Sequence, residues 1–401
     1  MSRRLLIYSH DSFGLGHLRR CRAIAHHLVE QFNDLSVLIL SGSPIIGSFD
    51  FKSRVDFVRV PGVIKLRNGE YTSLHLHIDP EHTLAIRSSI IQHTADVFEP
   101  HVCLIDKEPL GLRGEVRDTL AMLKARGCRL VLGLRDVIDD PQPLLEEWQR
   151  KQVYPALRDF YDTIWVYGPR EVFDPLTELP GFAEFASKVQ FTGYLRRSMP
   201  SNVGAGAADV ELPEPPYILV TPGGGGDGEG LVDTVLRAYE SDPSLPWACV
   251  VLFGPFMNGE DRARFHERAD RLPQIRCLTF DAQVERLYAG AAAVVAMGGY
   301  NVFCEILSFD KPALLVPRTL PRREQLLRAQ RASKLGVLQT LTLEQASDPP
   351  TMAAALRTLP KSAPPSRARV PLSLDGLDHI AADLEADLRP RPAGERLRAL
   401  A

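Results

Sequence analysis

The sequence predicts an α/β protein built as two βα domains that face each other across a cleft. Three observations predict it. Short apolar runs alternate with longer helical patterns, the arrangement of βα repeats around a parallel sheet. Most of these runs are continuous Val/Ile/Leu stretches, as strands covered on both faces require. A Pro-, Gly-, Ala- and Ser-rich stretch from Arg196 to Pro216 divides the pattern into two similar arrays.

In the first array the strand candidates are Leu5–Ser9, Ser36–Leu40, Val55–Val60, Val102–Asp106, Leu130–Leu134 and Ile164–Tyr167, with Val189–Tyr194 closing it. Apolar spacing places helices at Leu18–Phe32 and Thr83–Phe98 between them. The second array reads Tyr217–Thr221, Ala248–Phe253, Arg276–Phe280, Ala293–Met297, Ala313–Val316 and Val337–Thr340. The expected division is residues 1–200 for the first domain, 201–216 for the linker and 217–360 for the second domain. Residues 361–401 form a C-terminal segment with an amphipathic helix at about 374–388.

A chain of 401 residues, 45 % hydrophobic and 24 % charged, is long enough for two cores and excludes disorder, a disulfide-stapled miniprotein and a collagen-like fibre. Lys+Arg 47 against Asp+Glu 50 leaves a net charge of -3, which gives no global pull toward nucleic acid. The six cysteines are scattered without a CxxC pair, so they read as reduced thiols rather than bridges or a zinc site. The run Leu5–Tyr8 is too short for a signal-peptide core, and no stretch reaches the roughly 20 apolar residues of a membrane span. These features predict a cytoplasmic protein and leave peripheral contact with the inner membrane face open.

In open parallel sheets ligands bind beyond the carboxyl ends of strands, where glycine-rich turns feed helix starts. Three turns qualify. Ser9-His10-Asp11-Ser12-Phe13-Gly14-Leu15-Gly16-His17 follows the first strand; Gly14 and Gly16 let the backbone approach a ligand, and His17 titrates where a general base works. Arg19 and Arg20 follow, suited to phosphate or carboxylate, or to a solvated helix surface. Thr221 to Gly228, with four consecutive glycines, forms a nest of N–H groups for phosphate. Its glycine spacing also admits a nicotinamide-cofactor site with Glu240 or Asp242 as the ribose acid, although the strand to carry that acid is unconvincing. In the third turn Met297 leads into Gly298 and Gly299, and Glu305 lies about two helical turns on among apolar neighbours.

These turns, with Lys311-Pro312-Ala313-Leu314-Leu315-Val316-Pro317, resemble the GT-B glycosyltransferases of family 28, most specifically over Tyr217–Thr340. The first turn is also similar to that of a related nucleotide-sugar hydrolase. The resemblance implies two Rossmann-like domains facing across a cleft. It implies an acceptor-side loop of Gly14, Gly16 and Arg19 with His17 as base. On the donor side it implies Gly223, Gly224 and Gly225 near the diphosphate, Phe280 at the nucleobase, Gly298 and Gly299 at the diphosphate, and Glu305 on the ribose. Glu324 and Gln325 would contact the donor sugar, although Glu324 stands where the family often has Gln, and Met297-Gly298-Gly299 stands where it often has Arg-Ser-Gly.

The expected activity is transfer of a sugar from a nucleotide-diphosphate donor, a UDP-sugar, to an acceptor hydroxyl, inverting and without metal. No cofactor is expected beyond the nucleotide-sugar substrate; the acceptor class (lipid-linked, glycan or small molecule) is open, and no nucleic-acid partner is expected. The chain contains no D-x-D, and His75, His77 and His82 lack the spacing of a metal site. Alternatives on the same scaffold are a nucleotide-sugar hydrolase, an epimerase drawing on Asp106 and Glu108, and a non-catalytic nucleotide-sugar binding protein.

Overall fold

A computed structural model of the chain describes residues 3–11, 16–65, 71–199, 212–214 and 216–388. Its first sheet begins with β1 (Arg3–Ser9), β2 (Leu35–Ser41) and β3 (Val55–Arg59). A short antiparallel pair, β4 (Val63–Lys65) with β5 (Tyr71–Ser73), follows outside the sheet and has no counterpart in the expected strands. The sheet resumes with β6 (Val102–Asp106), β7 (Arg129–Arg135), β8 (Thr163–Tyr167) and β9 (Val189–Phe191). The seven strands run in the order β3-β2-β1-β6-β7-β8-β9, and every pairing is parallel. Leu5, Leu6, Ile7 and Tyr8 of β1 are all buried, which is why this strand shows no alternation.

The second sheet contains β10 (Tyr217–Thr221), β11 (Cys249–Leu252), β12 (Ile275–Leu278), β13 (Ala291–Ala296), β14 (Ala313–Leu315) and β15 (Gln339–Thr340), ordered β12-β11-β10-β13-β14-β15 and again parallel. Strand β12 ends two residues short of Phe280, so that ring stands in the turn beyond the strand rather than at its end.

The direction of winding reverses once in each sheet, between β1 and β6 and between β10 and β13. Tyr8 pairs with Ile105, and Thr221 with Ala296, so the two strands at each reversal end at the same level. The loops after them part to opposite sides and leave a crevice, which is where parallel sheets hold ligands. All three glycine-bearing turns emerge at these two points.

The halves are packed together. Tyr194, after the last strand of the first sheet, meets Phe303 and Tyr300 of the second half with ring centroids 5.1 and 6.0 Å apart. The expected terminal helix is Gly376–Leu388, and it returns to the first sheet. Arg129 binds its Asp383 and Asp387 at 2.7 and 2.6 Å, Trp165 donates to Asp383 at 3.0 Å, and Leu195 forms a bridge with Asp375. Gly376 crosses so close to the 193–194 turn that a Cβ would lie 2.6 Å from the Gly193 carbonyl oxygen. The linker assigned to 201–216 falls largely outside the described residues.

Candidate functional site

Strand β1 delivers Asp11 into a buried position, where its carboxylate accepts from Ser9 Oγ at 2.5 Å, Ser41 Oγ at 2.7 Å and the Leu18 amide at 3.2 Å. One side chain thus ties β1, β2 and the start of the helix Gly16–Gln31 together. Gly14 lies outside the described residues; Gly16 opens the helix and His17 follows it.

Strand β6 ends beside this turn with Asp106, fully buried, whose Oδ2 is 2.5 Å from His17 Nδ1. Arg20, one helical turn after His17, closes a fork on the same carboxylate through Nε at 2.9 Å and Nη2 at 2.7 Å. Arg20 is therefore neither solvated surface nor free for a phosphate: it is 1 % exposed, with Tyr300 and Tyr167 ring centroids 5.2 and 5.6 Å away. Burial alone would raise the Asp106 pKa, but Arg20 and His17 hold it well below the usual carboxylate range. An ionised Asp106 only accepts hydrogen bonds, so His17 Nδ1 carries the proton and Nε2 keeps its lone pair. Burial also lowers the His17 pKa, against the opposing pull of Asp106, which keeps the ring neutral and basic near pH 7.

Across the crevice, the run after β10 is pressed against the 253–257 turn. Gly223, Gly225 and Gly254 have φ of 92, 90 and 87°. A Cβ on Gly225 would sit 2.3 Å from the Phe253 carbonyl oxygen, and the Phe256 amide donates to the Gly224 carbonyl at 3.0 Å. The helix Tyr300–Ser308 follows β13, with Gly298 at φ 86° and Gly299 as its N-cap. Its first-turn N–H groups have no intrahelical partner, and a Cβ on Gly299 would meet nothing within 4 Å.

That helix start abuts the His17 turn. Asn301 Nδ2 donates to the Gly16 carbonyl at 2.9 Å, and its Oδ1 accepts from Arg197 at 2.9 Å. Arg19, expected on the acceptor side, reaches the other half: it lies 2.5 Å from Glu305 and 3.4 Å from Glu285. Glu305 is fully buried, and burial raises its pKa although Arg19 opposes the shift. A second cross-link is Arg328, which forks onto Asp136 at 2.6 and 2.7 Å and donates to the Gly298 carbonyl at 2.9 Å. Between these contacts the crevice narrows to a slot of about 30 Å³ lined in part by Gly223, Phe280, Tyr288, Val302 and Glu305, where Phe280 packs edge-on against Phe49.

Glu324 and Gln325 open the helix Glu324–Lys334. Arg318 donates to Glu324 at 2.8 Å and also pairs with Asp227 of the glycine-rich turn. Burial would raise Glu324, yet Arg135 and Arg318 hold it down at about 2. Glu240 and Asp242 sit at the far end of the helix Glu229–Ser241 from the glycines and are paired with Arg268 and Arg357, which leaves a nicotinamide cofactor without its ribose acid. His75, His77 and His82 are exposed, and no three or more metal-ligating side chains cluster among the described residues.

The structure thus brings His17, Gly16, Arg19, Gly298, Gly299 and Glu305 together, with Gly223 and Phe280 on the adjoining slot. Sequence reasoning missed Asp106 as the partner of His17, Asn301 as the contact between the halves, and the Arg328–Asp136 pair. Asp106 had a signal, an acid closing a wholly apolar strand; Arg328 had none.

Residues 219–368 match the glycosyltransferase family 28 C-terminal domain. No curated protein matches the chain in sequence. Among solved structures, the calicheamicin glycosyltransferase CalG4 is 15 % identical at a TM-score of 0.57, covering 100 % of this chain and 98 % of its own. MurG from Acinetobacter baumannii is 11 % identical at a TM-score of 0.58, covering 96 % and 100 %. A UGT transferase from Siraitia grosvenorii in complex with UDP is 12 % identical at a TM-score of 0.58, covering 97 % and 100 %. The chain therefore has the GT-B fold and carries a family 28-like glycosyltransferase domain in its second half.

Proposed function

We propose that this protein transfers a sugar from a nucleotide-diphosphate donor, a UDP-sugar, to an acceptor hydroxyl with inversion at the anomeric carbon. The observation that carries the reading is the meeting of two turns: a histidine base on a buried aspartate from one half, and a glycine-led helix start from the other, joined by the Asn301–Gly16 hydrogen bond. The donor diphosphate would lie on the first-turn N–H groups after Gly298 and Gly299, with Glu305 on the ribose and Glu324 and Gln325 at the sugar. His17 Nε2 would take the proton of the acceptor hydroxyl as its oxygen attacks the anomeric carbon; the leaving diphosphate is stabilised by backbone dipoles. The lack of D-x-D in the sequence supports a leaving group handled without metal. A cytoplasmic location fits the scattered cysteines, and no described helix is long and apolar enough to cross a membrane.

The test is a panel of UDP-, GDP-, CMP- and dTDP-sugars, scored for nucleotide release and for binding. His17→Ala should lower turnover by roughly 10²–10⁴ while nucleotide binding stays within about twofold. Equal turnover in the variant removes His17 as base. Free sugar released from labelled donor without acceptor would make the enzyme a hydrolase.

A further inference from the structure

Two cations at the strand ends near His17 share their nearest acids with other cations. Lys107 follows Asp106 at the end of β6, and Arg135 closes the neighbouring β7, whose Gly133 is in register with Asp106. The other cations around them are matched: Arg20 with Asp106 at 2.7 Å, Arg328 with Asp136 at 2.6 Å, Arg322 with Glu147 at 2.9 Å, Lys151 with Glu108 at 2.9 Å, and Arg318 with Glu324 at 2.8 Å. Lys107 comes no nearer than 3.7 Å to Glu108, whose carboxylate Lys151 already holds. Arg135, only partly exposed, makes no close hydrogen bond or ion pair with a described residue; the acid that acts on it most, Glu324, is already held by Arg318 at 2.8 Å.

Lys107 also sits at φ 73°, a left-handed conformation that a lysine seldom adopts unless its surroundings impose it. Burial pushes the Lys107 ammonium down to about 8; Glu108 opposes the shift, while Arg135, Arg322 and Lys151 reinforce it. Like charges brought together at the end of two central strands raise the energy of the folded protein. Such an arrangement is the mark of a site awaiting an anion.

We propose that Lys107 and Arg135 form a phosphoryl-binding pair that docks a phosphate group of the acceptor beside His17. The planar guanidinium fork and the ammonium point charge suit a tetrahedral dianion. Lys107 follows Asp106 directly and Arg135 closes the adjacent strand, whereas the proposed seat of the donor diphosphate is in the other domain. This rests on the glycosyl-transfer reading only for which substrate bears the phosphate.

The test is calorimetric titration at low ionic strength of inorganic phosphate, of UDP, and of phosphate onto the UDP-saturated protein. Wild type, Arg135→Gln and Lys107→Gln are compared, with thermal melts alongside. Phosphate should bind the wild type with or without UDP. Each variant should weaken phosphate by about tenfold or more, leave UDP within about twofold, and melt no lower than wild type because repulsion is relieved. Unchanged phosphate affinity in both variants, no binding to wild type, or a lowered melting temperature overturns the proposal. A parallel loss of UDP affinity, or competition between phosphate and UDP, assigns the pair to the donor diphosphate and overturns the acceptor assignment. Failure of UDP to bind, with phosphate behaving as described, sinks the UDP-donor reading and leaves the phosphoryl site standing.

Discussion

His17 draws its chemistry from the groups bonded to it. Asp106 fixes the Nδ1 proton, and burial keeps the imidazole uncharged. Because its pKa lies below the ordinary value of about 6.5, the basic form persists as pH falls past that point. The acid limb of kcat/KM should therefore lie below pH 6.5; a limb at or above 7 would exclude a His17 held in this environment. Asp106 has a second duty, as the sole ion-pair partner of Arg20 among the described residues. Asp106→Ala leaves a guanidinium buried without a partner, which costs roughly 3–5 kcal/mol. Its thermal melt should drop sharply, whereas His17→Ala, which leaves the Arg20–Asp106 pair intact, should melt near wild type.

Glycines in the three turns look equivalent in the sequence but serve different ends. Gly225 lets two backbone turns touch: its φ is 90°, and the 2.3 Å that would separate a Cβ there from the Phe253 carbonyl oxygen leaves no room for a side chain. Gly299 has an ordinary φ of -58° and open space before it. Gly225→Ala should lower the melting temperature, with backbone strain alone costing on the order of 1–3 kcal/mol. Gly299→Ala should keep the wild-type melt and weaken nucleotide-diphosphate binding. If both variants melt alike and bind alike, the two turns share one role and this division is wrong. Strands were the most legible elements because burial on both faces forces unbroken apolar runs. The β4–β5 pair escaped because three-residue strands carry almost no pattern.

The two halves are held closed by charge pairs that cross the boundary, Arg19 with Glu305 and Arg328 with Asp136, and by the aromatic contact of Tyr194 with Phe303. The slot of about 30 Å³ is an order of magnitude below the roughly 300–1,000 Å³ of small-molecule pockets, so the proposed nucleotide-sugar donor would have to part the halves and draw Arg19 from Glu305. The terminal helix belongs to this scale too. Ile380, Leu384 and Leu388 are buried, and Asp383 and Asp387 hold Arg129. A chain ending before Gly376 should lose part of the first-domain core and melt well below the full protein; an unchanged melt would show that the helix only decorates the surface.

From the order of residues alone came the two parallel arrays, the turns that emerge at strand ends, and the histidine and glycines that chemistry would use there. Local pattern suffices for these because strand burial and backbone freedom are properties of neighbours in the chain. Which acid serves His17, which arginines span the boundary, and which cations must share an acid were decided by the fold. Asp106 stands 89 residues from His17 and Arg328 192 residues from Asp136, and only the strand order of two sheets and their packing bring such charges within reach of each other.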